Sequence, residues 1–142
     1  MRTLLCAVLV VTACAPGERK AAAPSSAQKY VGTWEGRSYR SASDTGVSYQ
    51  VVMALVADGS LRGTLTYPGS TLPPAPIRVR EFSETSIVQE LGPFYSRLAN
   101  REVVARAVGQ VQGDSLNGTF ELRPPEGGEV LLTGTFRAKR VS

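Results

Sequence analysis

The stretch "SLRGTLTY", residues 60–67, alternates between apolar and polar side chains along its whole length. Leu61, Gly63, Leu65 and Tyr67 fall on one side, and Ser60, Arg62, Thr64 and Thr66 on the other. A period of two marks a strand with one buried face, because successive Cβ atoms of an extended chain point to opposite sides of a sheet. The pattern returns in "SLNGTFELR", residues 115–123, where Leu116, Gly118, Phe120 and Leu122 share a face. It returns again in "LLTGTF", residues 131–136, with Leu132, Gly134 and Phe136. Each copy holds Gly-Thr followed by Leu or Phe, a repeat of the strand kind rather than a solenoid period. Glycine in mid-strand points to a bulge or to a close approach of backbones.

Turn chemistry on either side of these segments sets the joints. Asp58-Gly59 links "VSYQVVMALVA" to "SLRGTLTY", the strongest short hairpin signal there is. Gly113-Asp114 and Gly127-Gly128 serve the later joints. About eight strands result, over residues 30–40, 46–57, 60–67, 76–82, 85–91, 102–112, 115–123 and 129–140. No stretch carries a helical period. The expectation is an all-β domain: an antiparallel up-and-down barrel of about eight strands, whose closure removes both sheet edges. A barrel of that size is filled by side chains or holds one small ligand. Hydrophobic residues make up 42% of the 142-residue chain and charged residues 20%, which suits one globular domain.

The start of the chain reads differently. Met1-Arg2 precedes an apolar run over residues 3–11, too short to cross a bilayer as a helix, which takes roughly 20 residues. It ends in Val11-Thr12-Ala13-Cys14, which resembles the lipobox of bacterial lipoproteins. That resemblance implies a cysteine lipidated on sulfur at Cys14, cleavage just before it, and acylation of the new amine. Three segments follow: a signal peptide over residues 1–13, the lipidated cysteine and a flexible linker over 14–29, and a barrel domain over 30–142. Cys6 would leave with the signal, so the mature chain would hold no free thiol. Ala15, not aspartate, follows the cysteine, which implies the outer membrane, facing the periplasm. The linker "APGERKAAAPSSAQK" has no apolar period and a typical span of about 20 Å. Alternatively its last residues, with Tyr30, form a short helical turn that plugs one end of the domain.

"YVGTWEG", residues 30–36, holds the single tryptophan. Gly32-Thr33-Trp34 at the opening of the first strand resembles the Gly-x-Trp signature of the calycins, which include lipocalins, fatty-acid-binding proteins and avidins. In lipocalins the tryptophan closes one end of the barrel and an arginine of the last strand packs over its ring. Arg140 shares the inward parity of Phe136 and fits that role, whereas Arg137 has outward parity. The resemblance therefore implies a structural Trp34–Arg140 pair in a lipocalin-like barrel. The biotin pocket of avidins needs several tryptophans, and this chain has one.

Little in the chain points to catalysis. Its net charge is +4 and it has no histidine, which removes the commonest general base and metal ligand. It carries no Gly-x-Ser-x-Gly elbow and no phosphate-binding glycine loop. The carboxylate pairs Glu81/Glu84 and Glu126/Glu129 sit beside turn residues, where solvated charge is the ordinary reading. The expectation is a protein that is not an enzyme, with no cofactor and no metal. Arg78, Arg80, Arg97, Arg101 and Arg106 are interspersed with apolar residues, but Arg78 and Arg80 alternate with Ile77 and Val79 as a wet strand face does, and an exported protein meets little nucleic acid. Anionic lipid headgroups are the better partner for such a face. Within "VVARAVGQV" both faces are fairly apolar. With Val104, Arg106 and Val108 inward, a guanidinium would sit in the lumen and grip a carboxylate, as in fatty-acid-binding barrels. Val103, Ala105 and Ala107 instead suit a crowded interior and leave Arg106 in solvent, the favoured reading.

The remaining candidates line the barrel or its mouth. Val47, Tyr49, Val51, Met53 and Leu55 share a face, and Met and Tyr suit a yielding apolar cavity as well as an ordinary core. "GPFYSRLAN", residues 92–100, reads as a connection whose Phe94, Tyr95 and Leu98 form a lid, an attachment patch or a cover for one end. The candidate ligand set is Tyr49, Met53, Leu65, Tyr67, Phe120 and Leu132, with Phe94 and Tyr95 at the mouth. A lipid-anchored envelope protein that binds a small apolar or amphipathic molecule, or a lipid, is the resulting expectation. The competing one is a filled barrel that docks another envelope protein.

Overall fold

Eight antiparallel strands follow one another in chain order round a closed barrel in the computed structural model, which describes residues 26–142. They are β1 (Gly32–Tyr39), β2 (Val47–Leu55), β3 (Leu61–Thr66), β4 (Ala75–Phe82), β5 (Ser86–Ser96), β6 (Arg101–Gln112), β7 (Ser115–Arg123) and β8 (Leu132–Arg140). β8 pairs with β1, Trp34 lying opposite Arg140 and Tyr39 opposite Thr135, so no sheet edge is left unpaired. The all-β, up-and-down expectation holds. The signal peptide, Cys14 and the linker as far as residue 25 lie outside the described residues.

The three Gly-Thr repeats explain how so small a barrel closes. On β7 and β8, Phe120 lies opposite Gly134 and Gly118 opposite Phe136. Each ring takes the place of a missing side chain on the neighbouring strand. A Cβ at Gly134 would approach the Phe120 ring at 2.5 Å, and one at Gly118 would approach Phe136 at 2.8 Å. Backbone crowds both positions as well, through the Val108 carbonyl at Gly118 and the Tyr39 carbonyl at Gly134. Of the two uses of mid-strand glycine, close approach is the one found here, with regular pairing through both residues.

The two ends of the barrel differ. One carries the short turns. At β2–β3 the Asp58 carboxylate accepts from the Ser60 N–H at 2.9 Å, and Gly59 takes φ 83°. At β6–β7 the two-residue turn opens on Gly113 with φ 59°, as a type II′ turn requires. Ser26–Lys29 form a 3₁₀ turn at this end, so of the two readings of the linker's last residues the structure takes the plug. Ala27 and Tyr30 are buried in it. The other end carries the longer β1–β2, β3–β4 and β7–β8 loops.

One element departs from expectation. Residues 92–100 were expected as a connection, but β5 runs on to Ser96 and pairs Phe94 with Val103, Tyr95 with Glu102 and Ser96 with Arg101. Gly92-Pro93 looks like a break because proline lacks a donor and glycine loosens a strand. A bulge between Leu91 and Phe94 absorbs both residues, with Gly92 at φ 103°, and the ladder resumes.

Candidate functional site

Trp34 and Tyr30 form the floor of the barrel. The indole Nε1 donates to the Tyr30 carbonyl at 2.9 Å, which fixes the ring across the interior. The Tyr30 hydroxyl lies 2.9 Å from the Ser83 carbonyl and 2.8 Å from that of Ser86, and donates to one at a time. Its ring meets Phe82 edge-on, with centroids 6.3 Å apart. Burial, with the Glu84 carboxylate adding to it, pushes the Tyr30 phenol up to about 12.

Arg140 lies over the outer side of this floor, its Cζ 4.6 Å from the centre of the Trp34 ring. The guanidinium also donates to the Val31 and Lys29 carbonyls and to Asp114 Oδ1 at 3.2 Å. Arg137 is exposed on the outer wall, as strand parity requires.

Above the floor the inward side chains leave a cavity of about 90 Å³. It extends from Tyr30 and Trp34 to Tyr67, Phe94, Ser96 and Leu98 at the loop-bearing end. Tyr49, Val51, Met53, Leu65, Ile77, Leu91, Leu116, Phe120, Leu122 and Phe136 form most of the wall. The cavity is several times the ~10–15 Å³ that admits one water, and falls short of the roughly 300 Å³ at which drug-sized pockets begin. A single ring or a short alkyl segment matches it. The lining holds no carboxylate, amine or guanidinium; its ionisable groups are phenols. Burial raises the Tyr49 phenol strongly, with the neighbouring Tyr39 adding to the effect. Burial also raises that of Tyr67, partly offset by Arg97 and Ser96. Ligands held by charge have no partner on this wall.

A wider groove of about 710 Å³ runs over the outer wall between β1 and β8, past the opposed Arg37 and Arg137. Its long charged side chains stand in solvent, whereas the interior cavity is concave and mostly apolar.

No family model matches the sequence, and no curated protein is recognisably similar to it. The closed eight-stranded antiparallel barrel is compatible with a lipocalin-like fold.

Six of the candidate ligand residues, Tyr49, Met53, Leu65, Tyr67, Phe94 and Phe120, lie on the cavity wall. Leu132 packs against the edge of the core without lining the cavity. Tyr95 is corrected: it is 39% exposed, and its hydroxyl donates to Asn100 Oδ1 at 2.6 Å. The continuing strand turns Phe94 inward and therefore Tyr95 outward. Arg106 faces solvent, and its register neighbours on either side are Glu90 and Glu121.

Sequence reasoning missed Gln89 and Ser96 as wall residues, whereas Ala105 and Ala107 lie in the interior as strand parity suggested. Parity was the available signal for Gln89, since in "SIVQELG" it alternates with Ile87 and Leu91. A glutamine on an apolar strand face is the kind of exception that marks a site.

Proposed function

We propose that this protein is a lipoprotein of the bacterial envelope, tethered through Cys14, whose lipocalin-like barrel binds a small apolar or amphipathic molecule without transforming it. The interior cavity carries this reading: it is lined almost wholly by apolar side chains, bears no charged group on its wall, and is floored by an indole held in place by two separate elements. The Val-Thr-Ala-Cys sequence at residues 11–14 and the Ala15 that follows support lipid attachment at the outer membrane, facing the periplasm. Two or more acyl chains make such attachment stable. Docking of a protein partner is the weaker reading. The exposed large apolar residues are divided between the two ends, with Val52, Leu55, Phe82 and Val141 at one and Tyr95, Val130 and Leu131 at the other, rather than gathered into one patch.

Native mass spectrometry of the full chain extracted from a bacterial envelope tests the proposal. A bound mass of up to a few hundred daltons that is lost on denaturation is the expected result. A bare protein mass that stays bare after incubation with an envelope lipid extract refutes ligand carriage. In the same spectra, acyl mass on wild type that disappears in Cys14→Ser is expected, and its absence from wild type refutes the anchor.

A further inference from the structure

The cavity wall is apolar except at a few points, and one of these lies half-way along it. Gln89 of β5 is 6% exposed, and its strand neighbours on the same face, Ile87 and Leu91, are buried apolar residues. In register it lies between Val79 on β4 and Ala107 on β6. Its carboxamide makes no hydrogen bond to any described residue, yet no buried side-chain nitrogen or oxygen among the described residues is sealed without a partner. The amide therefore opens onto the cavity that Gln89 lines. The short side chains of Ala105 and Ala107 on the adjoining strand leave the space that it faces.

An amide on an otherwise apolar wall is the exception there, since a strand face built only for packing would carry leucine or valine. Gln89 offers both an N–H donor and a carbonyl acceptor. A carboxylate would find no cation on the wall: Arg97, which acts on Tyr67 at the loop-bearing end, is exposed and does not line the cavity, and Arg140 at the floor already serves Val31, Lys29 and Asp114. We infer that the barrel takes a neutral amphiphile, an apolar body bearing one carbonyl or hydroxyl group, and that Gln89 makes the directional contact to that group. This inference rests on the ligand-carrier reading and specifies its chemistry.

Three probes matched to the cavity separate the two claims: cyclohexanone, its apolar isostere methylenecyclohexane, and pentanoate at pH 7. Each is titrated into the full chain and into Gln89→Met and Gln89→Leu, with the Met53 methyl signal as readout. Wild type binds both neutral probes, and either substitution lowers the cyclohexanone-to-methylenecyclohexane affinity ratio about 5- to 10-fold, the effect of one neutral hydrogen bond. Pentanoate binds wild type at least ~10-fold more weakly than cyclohexanone, for want of a counter-charge. An unchanged ratio, with both neutral probes still bound, overturns the role of Gln89 and leaves the carrier standing. Pentanoate bound as tightly as cyclohexanone overturns the neutral class. Failure of both neutral probes to bind any of the three proteins overturns the carrier reading and this inference together.

Discussion

Arg140 ties four parts of the chain together with one side chain: the Trp34 ring, the Val31 and Lys29 carbonyls, and Asp114 at the β6–β7 turn. Cation–π contact over an indole is worth about 0.5–2 kcal/mol, and hydrogen bonds from a charged donor add to it. Arg140→Met is expected to destabilise the barrel by about 2–4 kcal/mol in urea denaturation, with little recovery in Arg140→Lys, whose ammonium lacks the planar fork. Arg137→Met on the outer wall is expected to change stability by less than about 0.5 kcal/mol. The pairing was implied by the resemblance to lipocalins, and strand parity then chose Arg140 over Arg137. The second lock on the floor was not legible, since nothing local to Tyr30 reveals that its hydroxyl reaches the β4–β5 turn. That phenol must stay neutral to donate. Its pKa rises from about 10 in an unfolded chain to about 12 in the fold. The stability it contributes is therefore complete below pH ~10 and is lost as pH climbs from there towards 12. Tyr30→Phe is expected to cost about 1 kcal/mol at pH 8 and to flatten the fall in urea midpoint between about pH 10 and 12.

At the scale of the elements, the interlock of glycines and rings on β7 and β8 sets the register. Gly118→Ala and Gly134→Ala each force a methyl against backbone and ring, and each is expected to destabilise by about 1–3 kcal/mol, as overpacking does. Wild-type stability for both variants, measured by thermal unfolding, would contradict that packing. These strands were legible because a strict period of two and turn-forming pairs such as Asp58-Gly59 act locally. The far half of β5 was hidden for the same reason. A bulge at Gly92-Pro93 makes sense only against the partner strand β6, which restores pairing at Phe94 and Val103. Everything downstream of that misreading follows from it, including the placement of Tyr95 at a mouth it does not face.

For the whole molecule, sequence indicates the barrel but not how full it is. Charge is confined to the outside, where Arg78, Glu90, Arg106 and Glu121 succeed one another across four strands in alternating sign, a cross-strand arrangement that favours this register. Inside, the remaining volume depends on how Tyr49, Phe120, Phe136 and Met53 interdigitate with Ala105 and Ala107, a sum over eight strands that no local pattern contains. Filling that volume is the simplest global perturbation. Ala107→Leu is expected to abolish binding of methylenecyclohexane while leaving the thermal midpoint within a few degrees of wild type, because the added side chain enters existing space. A fall of many degrees would mean that the interior is already packed.

The most direct test of the central claim, a barrel with an accessible apolar interior, is a xenon titration of the full chain labelled with ¹³C at the methionine methyl groups. Xenon enters dry apolar cavities, and the chain has two methionines, Met1 and Met53, of which Met53 lines the cavity. The account predicts a saturable shift of the Met53 methyl that is absent in Ala107→Leu. A Met53 signal that does not move with xenon pressure, or that moves equally in the filled variant, would contradict it.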